Sequence, residues 1–385
     1  MSLASRMEGI APFHVMELMA KAQALEAAGH DIIHMEVGEP DFPTPQPILD
    51  AAQRFLAGGH VHYTSALGLP ALREAIAAWY ATRYGVQVDP ARIVVTAGAS
   101  GALLLALGAL ITPGDEWLLT DPGYPCNRHF VRFCEGVPRA IPVDATTHFQ
   151  PTAQKVDAGW TLRTRGLLVA SPANPTGTLI EPAQLAALWQ TVQARGGSLI
   201  VDEIYHGLTY HDDARTALEI SDEIIVINSF SKYFGMTGWR LGWLVVPPTL
   251  VRAVEKLAQN LFIAPSTPAQ HAALAAFVPE TLAILEDRRS AFCQRRNVLL
   301  PGLQQLGFEI AAEPRGAFYI YAGLGKLGTD SYKLAANLLD QAGVAATPGL
   351  DFGANAPDTH MRFAYTIDSA RIVEGLERMQ RYFTT

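Results

Sequence analysis

The chain has 385 residues, of which 49% are apolar and 17% charged, a balance typical of a globular enzyme with much buried sheet. The net charge of −8, without a basic tail or basic helix, argues against nucleic acid as a partner. The longest apolar run, residues 102–111, is too short to cross a bilayer, and no signal peptide is visible, so we expect no membrane association.

The N-terminal segment, residues 1–45, is predicted to form an arm and part of a small domain. Apolar residues at helical spacing between Val15 and Leu25 predict a helix, and residues 32–37 predict a short strand. The turn over residues 38–43 combines glycine and proline with two carboxylates, which is ordinary turn chemistry. A functional interpretation requires that Gly38 brings its backbone close to a ligand.

Strands and helices alternate over residues 46–280, which we predict to form a large cofactor-binding domain. Helical periodicity predicts helices over residues 69–84 and 182–195, among others. Apolar runs predict strands over residues 92–96, 117–120, 140–143, 166–171, 198–202, 224–230 and 241–246. The alternation is typical of an α/β domain whose mostly parallel central sheet is flanked by helices.

Residues 281–385 are predicted to form a smaller α+β domain. It begins with a long charged helix over residues 282–303. The remaining predicted strands and helices cover residues 308–310, 316–321, 331–342, 361–365 and 367–383.

Polar and aromatic residues follow directly on five of the predicted strands. They are Ser100, Tyr124, Asn174, Asp202, Tyr205 and Lys232. Because ligands of parallel sheets bind outside the carboxyl ends of the strands, we expect these residues to share one rim. The turn over residues 97–101 opens a helix directly after a strand, where free N–H groups and the positive end of the helix dipole suit a phosphate.

Lys232 stands at the end of an apolar strand. A lysine in such surroundings is costly unless it is solvated, paired or consumed chemically, and a free amine there forms an imine with a carbonyl. The hydroxyls of Ser229 and Ser231 and the guanidinium of Arg240 can hold a phosphate. An imine-forming lysine beside a phosphate site suggests pyridoxal 5′-phosphate, although a surface lysine after a strand is commonplace.

Four short sequence elements follow one another along the middle of the chain. They cover residues 171–177, 201–205, 229–232 and 237–242. In this order and spacing they resemble the class I/II aminotransferases, of the fold-type I pyridoxal-phosphate enzymes of the aspartate aminotransferase superfamily. The similarity extends from about Gly38 to Arg362. It implies ping-pong transfer of an amino group from an L-amino acid to a 2-oxo acid, with the cofactor held as a Schiff base on Lys232.

The resemblance also implies a role for each residue around the cofactor ring. Asp202 keeps the pyridine nitrogen protonated, so that the ring accepts electrons. Tyr205 and Asn174 hydrogen-bond the phenolic oxygen, Tyr124 stacks on the ring, and Lys232, Asp202 and Tyr205 form the catalytic set. From the residues alone, a helix-capping aspartate at 202 and a buried core tyrosine at 124 remain alternatives.

The implied phosphate and substrate ligands lie on several segments. Those for the phosphate are Ala99, Ser100, Gly101, Ser229, Ser231 and Arg240. In the family, Tyr63 reaches the phosphate of the neighbouring subunit, which implies a homodimer with shared sites. Arg362 aligns with the arginine that grips the substrate α-carboxylate, supported by Gly38 and Asn174. A solvated arginine on an exposed strand is the alternative.

Two other functions share part of this pattern. A pyridoxal-phosphate carbon–sulfur β-lyase has the same fold, Lys232, Asp202 and Arg362, but the element at residues 237–242 favours an aminotransferase. A non-catalytic binding module, such as the aminotransferase-like half of a transcription regulator, usually follows a winged-helix segment, for which this chain has no room. The acidic charge also argues against DNA binding.

The sequence leaves the substrate open. Residues 93–120 contain no lysine or arginine, so one candidate region lacks the second cation that a dicarboxylate needs. Arg128 is the nearest basic candidate, with a surface arginine as the alternative. Residues of the N-terminal arm are candidates to line the pocket: Phe13, His14 and Val15. We favour a neutral or aromatic amino donor.

Histidines and cysteines give no metal-binding pattern. His206 and His211 are interpreted as surface histidines, because no metal-ligand spacing accompanies them. Three widely spaced cysteines argue against a disulfide framework or a zinc site and favour a cytoplasmic protein. Cys126 is either a reactive thiol or, as we favour, a small buried hydrophobic residue.

Overall fold

A computed structural model describes residues 3–10, 12–210 and 214–384 of the chain. A seven-stranded sheet forms its centre. In spatial order the strands are β2 (Ile93–Thr96), β8 (Gly242–Val245), β7 (Ile225–Ser229), β6 (Ser198–Asp202), β5 (Thr164–Ala170), β3 (Glu116–Asp121) and β4 (Val137–Pro142). Neighbouring strands are parallel except at β8, which is antiparallel to both β2 and β7. This arrangement confirms the predicted α/β class.

Successive residues of the central strands face two different hydrophobic cores. Val94 and Ile227 belong to one core, whereas their neighbours Val95 and Val226 belong to the other. Because side chains alternate along a strand, a sheet covered by helices on both faces must be apolar at every position. The strands β2, β7 and β8 are accordingly buried throughout, which explains their continuous apolar runs.

Twelve α-helices lie in the part of the chain that the structure describes. They are α1 (His14–Ala27), α2 (Gln46–Ala57), α3 (Pro70–Tyr84), α4 (Gly98–Leu110), α5 (Pro125–Phe133), α6 (Ala153–Gly159), α7 (Pro182–Ala194), α8 (Pro248–Leu261), α9 (Thr267–Ala273), α10 (Pro279–Gln305), α11 (Ser331–Asn337) and α12 (Ser369–Thr384). A π-helical turn, Leu338–Ala342, continues α11. Helices α4 and α8 pack in one core, and α3 and α7 in the other. No helix of the described residues is both long and apolar enough to span a bilayer.

Two small sheets lie outside the central one. In the first, β1 (Ile33–His34) pairs in parallel with β10 (Val344–Ala345). In the second, β12 (His360–Ala364) lies between β11 (Thr347–Pro348) and β9 (Tyr319–Gly323). The start of the chain therefore pairs with its last third. The division into residues 1–45, 46–280 and 281–385 stays a prediction.

In the central sheet, the strand predicted at residues 140–143 begins earlier and is observed as Val137–Pro142. Three predicted strands outside the central sheet also differ from the structure. The strand at residues 32–37 shortens to two residues, because only Ile33 and His34 find partners on β10. Residues 308–310 contribute a single bridge, Glu309 to Gly323. The strand at 316–321 begins only at Tyr319, since Ala317 has a positive φ of 58° and donates its N–H to Leu208 instead.

Candidate active site

A cavity of about 240 Å³ opens at the carboxyl edge of the central sheet, and we call it the Lys232 cavity. Most residues singled out from the sequence line it: Gly38, Ala99, Ser100, Tyr124, Asn174, Asp202, Tyr205, Ser229, Ser231, Lys232, Arg240 and Arg362. Two do not. Gly101 lies one residue deeper in α4, where its N–H donates to Ala97 O at 3.4 Å, and Tyr63 lies in a loop with 81% of its surface exposed.

Lys232 follows β7 by three residues. Its Nζ donates a hydrogen bond to Gly38 O at 2.8 Å. It also lies 5.8 Å from the centre of the Tyr205 ring and 5.5 Å from that of Phe318. The amine is therefore held beside aromatic faces and a single backbone acceptor, a position from which it can be released to react.

Asp202 ends the neighbouring strand β6 and is buried. Its Oδ1 accepts the N–H of Ile204 at 3.1 Å, as a turn-forming aspartate does. Burial raises the pKa of Asp202 from 3.8 to about 7, although the Ile204 N–H and the charge of Lys232 oppose this. Because the carboxylate is desolvated, it gains more than a solvated one from a cation placed against it.

Ser229, Ser231 and Arg240 surround the first turn of α4. The N–H of Ser231 donates to Ser229 Oγ at 3.0 Å, and Ser229 Oγ lies 3.0 Å from Ser231 Oγ, which fixes both hydroxyls at the end of β7. Gly98 begins α4 with φ of 69°, and a Cβ there would come within 2.7 Å of Arg240 Nη2. The glycine thus lets a guanidinium lie against a helix N-terminus, and the two together favour an anion.

Arg362 lies on β12 and is buried, so the solvated alternative does not hold. Its Nη1 donates to Asn174 Oδ1 at 2.9 Å, and its Nη2 donates to Glu36 O at 2.5 Å. Nε has no hydrogen-bond partner among the described residues. The guanidinium is therefore fixed in orientation while one of its donors is still available.

Tyr319, on β9, was not singled out from the sequence. Its ring lies 4.3 Å below the Arg362 guanidinium, and its hydroxyl lies 3.0 Å from that of Tyr205. A Cβ on Gly38 would approach the Tyr319 hydroxyl to 1.8 Å, so residue 38 must be glycine for this tyrosine to fit. Tyr319 stands in a predicted strand with several aromatic neighbours, and nothing in that pattern distinguishes it.

Only some of the residues considered for substrate specificity line the Lys232 cavity. Phe13 and Val15 line the Lys232 cavity, whereas His14 lines an adjoining one. Arg128 is half-buried and donates to Pro125 O at 3.2 Å and to the carbonyl of Asp351. Its guanidinium is thus engaged by backbone carbonyls, and it does not line the Lys232 cavity.

The interpretation of His206 as a surface histidine is wrong. Only 5% of its surface is exposed, and burial lowers its pKa to about 3. Its Nδ1 lies 3.1 Å from Tyr84 Oη and 3.4 Å from Glu203 Oε2. The turn after β6 directs it inward, which no sequence pattern signals. His211 lies outside the described residues.

Neither cysteines nor metal ligands contribute to the site. Burial raises the pKa of Cys126, which makes its thiol less reactive. No cluster of three or more histidine, cysteine, aspartate or glutamate side chains within residues 3–10, 12–210 and 214–384 is arranged to hold a metal ion.

Comparisons with known proteins agree with this geometry. The family model for aminotransferase class I and II matches residues 30–379. The valine–pyruvate aminotransferase of Mycobacterium tuberculosis is 41% identical over 375 residues, 96% of each chain. The crystal structure of an aminotransferase from the same organism has a TM-score of 0.96 at 39% identity, covering 100% of this chain and 99% of that one. Thermus thermophilus aspartate aminotransferase, solved with maleate, has a TM-score of 0.94 at 34% identity, covering 99% of both.

These similarities span nearly the whole chain and confirm both the predicted cofactor and the predicted reaction class. The chain belongs to the class I and II aminotransferases, and it is a pyridoxal-phosphate-dependent enzyme of fold type I.

Proposed function

We propose that the Lys232 cavity is the site at which this aminotransferase binds its cofactor and both of its substrates. The observation that carries the proposal is the meeting of one amine, one buried carboxylate, an anion-binding helix end and a buried arginine in a single cavity. These groups match an aldehyde, a pyridine nitrogen, a phosphate and a substrate carboxylate, respectively.

Pyridoxal phosphate fits the donors that are present. Ser229, Ser231, Arg240 and the α4 N-terminus, with Ala99 and Ser100, would hold its phosphate. Asp202 would face the ring nitrogen, Asn174 and Tyr205 its phenolic oxygen, and Tyr124 its ring face. The raised pKa of Asp202 supports this assignment, because a buried carboxyl favours a cationic partner. We retain Gly101 as a ligand only through its place in the first turn of α4.

When bound, the cofactor supplies a carbonyl that condenses with amines and a ring that accepts electrons from the substrate Cα. Lys232 Nζ holds the cofactor between turnovers, and once displaced it moves the proton of the substrate Cα. Arg362 grips the α-carboxylate, supported by Asn174 and the backbone of Gly38. The same groups then serve the 2-oxo acid in the return half-reaction, which makes the kinetics ping-pong.

We further propose a cytoplasmic homodimer in which Tyr63 completes the site of the partner subunit. The loop of Tyr63 is fixed, because Thr267 donates to His62 O at 2.7 Å and Gln270 donates to Thr64 Oγ1 at 3.1 Å. The ring itself is nevertheless largely exposed. A fixed loop that presents an exposed tyrosine supports a contact with a second copy. The free thiols at Cys126, Cys134 and Cys293 support a reducing compartment.

We propose a neutral amino donor, drawn from amino-acid metabolism. Relatives are named both for valine–pyruvate and for aspartate, so the names alone do not decide. Among the described residues, every lysine or arginine that lines the cavity already has a role: Lys232, Arg240 and Arg362. The α1 side contributes the apolar residues Val15, Met16 and Met19. A second substrate carboxylate therefore finds no unassigned cation among the described residues that line this cavity.

Lys232→Ala tests the site assignment. We expect turnover to be lost, with some cofactor binding retained, because the phosphate ligands remain. The wild-type protein should be yellow with added cofactor and should lose its visible band after borohydride, whereas the variant should not be labelled by borohydride. Full steady-state activity of Lys232→Ala would contradict the proposal.

A further inference from the structure

Tyr319 is a buried tyrosine beside the Lys232 cavity to which the proposed function gives no role. Its side chain is almost fully enclosed, and its hydroxyl lies 3.0 Å from the hydroxyl of Tyr205. Tyr205 is one of the two residues, with Asn174, that we propose to hydrogen-bond the phenolic oxygen of the cofactor. Two hydroxyls at this distance share a hydrogen bond, so Tyr319 influences what Tyr205 can donate.

The ring of Tyr319 is held in place by its neighbours. The Arg362 guanidinium lies 4.3 Å from the ring centre. The rings of Tyr205 and Phe318 meet it edge to face, with 5.8 and 4.9 Å between ring centres. Gly38 leaves room for the hydroxyl, because a Cβ there would come within 1.8 Å of it. The Tyr319 hydroxyl is therefore fixed next to that of Tyr205.

The direction of the hydrogen bond between the two hydroxyls follows from the proposed task of Tyr205. A tyrosine hydroxyl donates a single hydrogen but can accept another hydrogen bond at the same time. Burial raises the pKa of Tyr205 well above its usual range, so the hydroxyl keeps its hydrogen at neutral pH. When that hydrogen faces the cofactor, Tyr205 can only accept from Tyr319, and Tyr319 is the donor of the pair.

We propose that Tyr319 is a positioning residue: by donating its hydroxyl hydrogen to Tyr205, it directs the hydrogen of Tyr205 towards the phenolic oxygen of the cofactor and strengthens that bond. Hydrogen bonds in a chain polarise one another, which strengthens each by about 10–30%. Tyr319 acts through Tyr205 and does not need to touch the ligand. The inference rests on the proposed function, since the cofactor must lie against Tyr205.

The visible spectrum of the cofactor-loaded protein reports on this bond. A hydrogen bond donated to the phenolic oxygen lowers the basicity of that oxygen and of the imine nitrogen next to it, so its loss raises the pH at which the colour changes. In Tyr205→Phe the midpoint of this change should rise by roughly 1–2 pH units, the equivalent of one hydrogen bond to a charged group. In Tyr319→Phe, which keeps the ring, it should rise by roughly 0.2–0.5 unit.

A double-mutant cycle separates this role from a structural one. In Tyr205→Phe there is no hydroxyl for Tyr319 to act on, so the addition of Tyr319→Phe should move the midpoint by less than about 0.1 unit. Cofactor affinity, measured by absorbance titration, should stay close to the wild-type value in Tyr319→Phe, because the phosphate ligands are untouched.

Tyr365→Phe is the matched control. Tyr365 is fully buried and its hydroxyl donates to Ala317 O at 3.3 Å, so this variant also loses a buried hydroxyl, but one that bonds a backbone carbonyl. Its midpoint should equal that of the wild type. An unchanged midpoint in Tyr319→Phe, or an equal shift in the Tyr205→Phe background, would overturn the inference and leave the proposed function standing. A wild type without a visible band after addition of the cofactor would contradict the proposed function itself.

Tyr319→Met covers the case in which Tyr319→Phe does not fold, as judged by chemical unfolding. Methionine also lacks the hydroxyl, and its flexible side chain adapts to irregular space. It should likewise raise the midpoint in the presence of Tyr205 and leave it unchanged in Tyr205→Phe. A midpoint at or below the wild-type value in Tyr319→Met would overturn the role of Tyr319.

Discussion

The two ends of the Lys232 cavity are built in different ways. At the end that we propose to hold the cofactor, called the cofactor end, Asp202 and Ser229 end adjacent strands of one sheet, and Lys232 follows three residues later. The substrate end combines α1, the segment around Gly38, β9 and β12. Its contact between Arg362 Nη2 and Glu36 O joins residues 326 positions apart. The cofactor end is thus determined by short segments, whereas the substrate end depends on how distant segments pack.

Of the substitutions that test the difference between the two ends, Asp202→Asn is expected to have the largest effect, which is on the rate of the half-reaction. A neutral amide at the end of β6 cannot stabilise a protonated ring nitrogen, so the half-reaction should slow about 10²- to 10³-fold, as when other preorganised electrostatic groups are removed. The loss should be the same for every amino donor, because this end is common to all of them. Stopped-flow absorbance with glutamine and methionine checks this; a loss that differs between donors would show that the two ends are not independent.

A smaller effect, at the other end, is expected from Arg362→Lys. An ammonium cannot reproduce the two-pronged bond to a carboxylate, and a lost charge-assisted bond of about 1.5–3 kcal/mol corresponds to roughly a tenfold to hundredfold fall in kcat/KM. The fall should come mainly from KM. Cofactor affinity, measured by absorbance titration, should stay at the wild-type value; a parallel loss of cofactor would contradict the separation of the two ends.

Gly38→Ala acts where the two ends meet. The added Cβ lies 1.8 Å from the Tyr319 hydroxyl, and the Gly38 carbonyl accepts the Lys232 amine. Displacing a buried tyrosine in this way should destabilise the protein by about 1–3 kcal/mol and weaken both cofactor and substrate binding. Chemical unfolding and absorbance titration measure both effects. Gly328→Ala, where a Cβ meets nothing within 4 Å, is the control and should behave like the wild type.

The same contrast explains what the sequence could predict. The strand at residues 198–202 is an apolar run buried on both faces, and the structure places β6 at those residues. The helix predicted over residues 69–84 is observed as Pro70–Tyr84. That these residues meet in one cavity was predictable, because they lie directly after such strands; their roles toward the cofactor stay a proposal.

The side-chain contacts at the substrate end were harder to predict from the sequence. Tyr319 meets Tyr205 across 114 positions, and neither carries a local signal of that contact. Glu36 lay within a predicted strand, but the sequence does not say that its side chain is enclosed beside His34. His206 was misjudged for the same reason, because a histidine in a turn can point either way. Side-chain direction is decided by tertiary packing at all three positions.

The buried cluster around His206 leads to the smallest predicted effect, on stability rather than catalysis. Glu203 accepts the hydroxyl of Thr216 at 2.9 Å and the N–H of Ala217 at 2.7 Å, and burial raises its pKa from 4.5 to about 8. The folded state therefore binds this proton more tightly than the unfolded state does. Stability from this group is complete below pH 4.5 and is lost as the pH rises towards 8.

In the cofactor-free protein between pH 7 and 8, the difference between the wild type and Glu203→Gln isolates this contribution, because His34, whose pKa is raised from 6.5 to about 9, loses stability over the same range in both proteins. His206, with a pKa lowered from 6.5 to about 3, has the opposite effect but only below pH 6.5, and Asp202 titrates near 7. From pH 7 to 8 the Tm of the wild type should fall by about 2 °C more than that of Glu203→Gln, since one proton contributes at most about 1.4 kcal/mol per pH unit. Glu203→Gln has no proton to lose there and should show a flatter profile. An equal fall in both proteins, measured by calorimetry, would show that Glu203 does not titrate between pH 7 and 8 and would contradict this prediction.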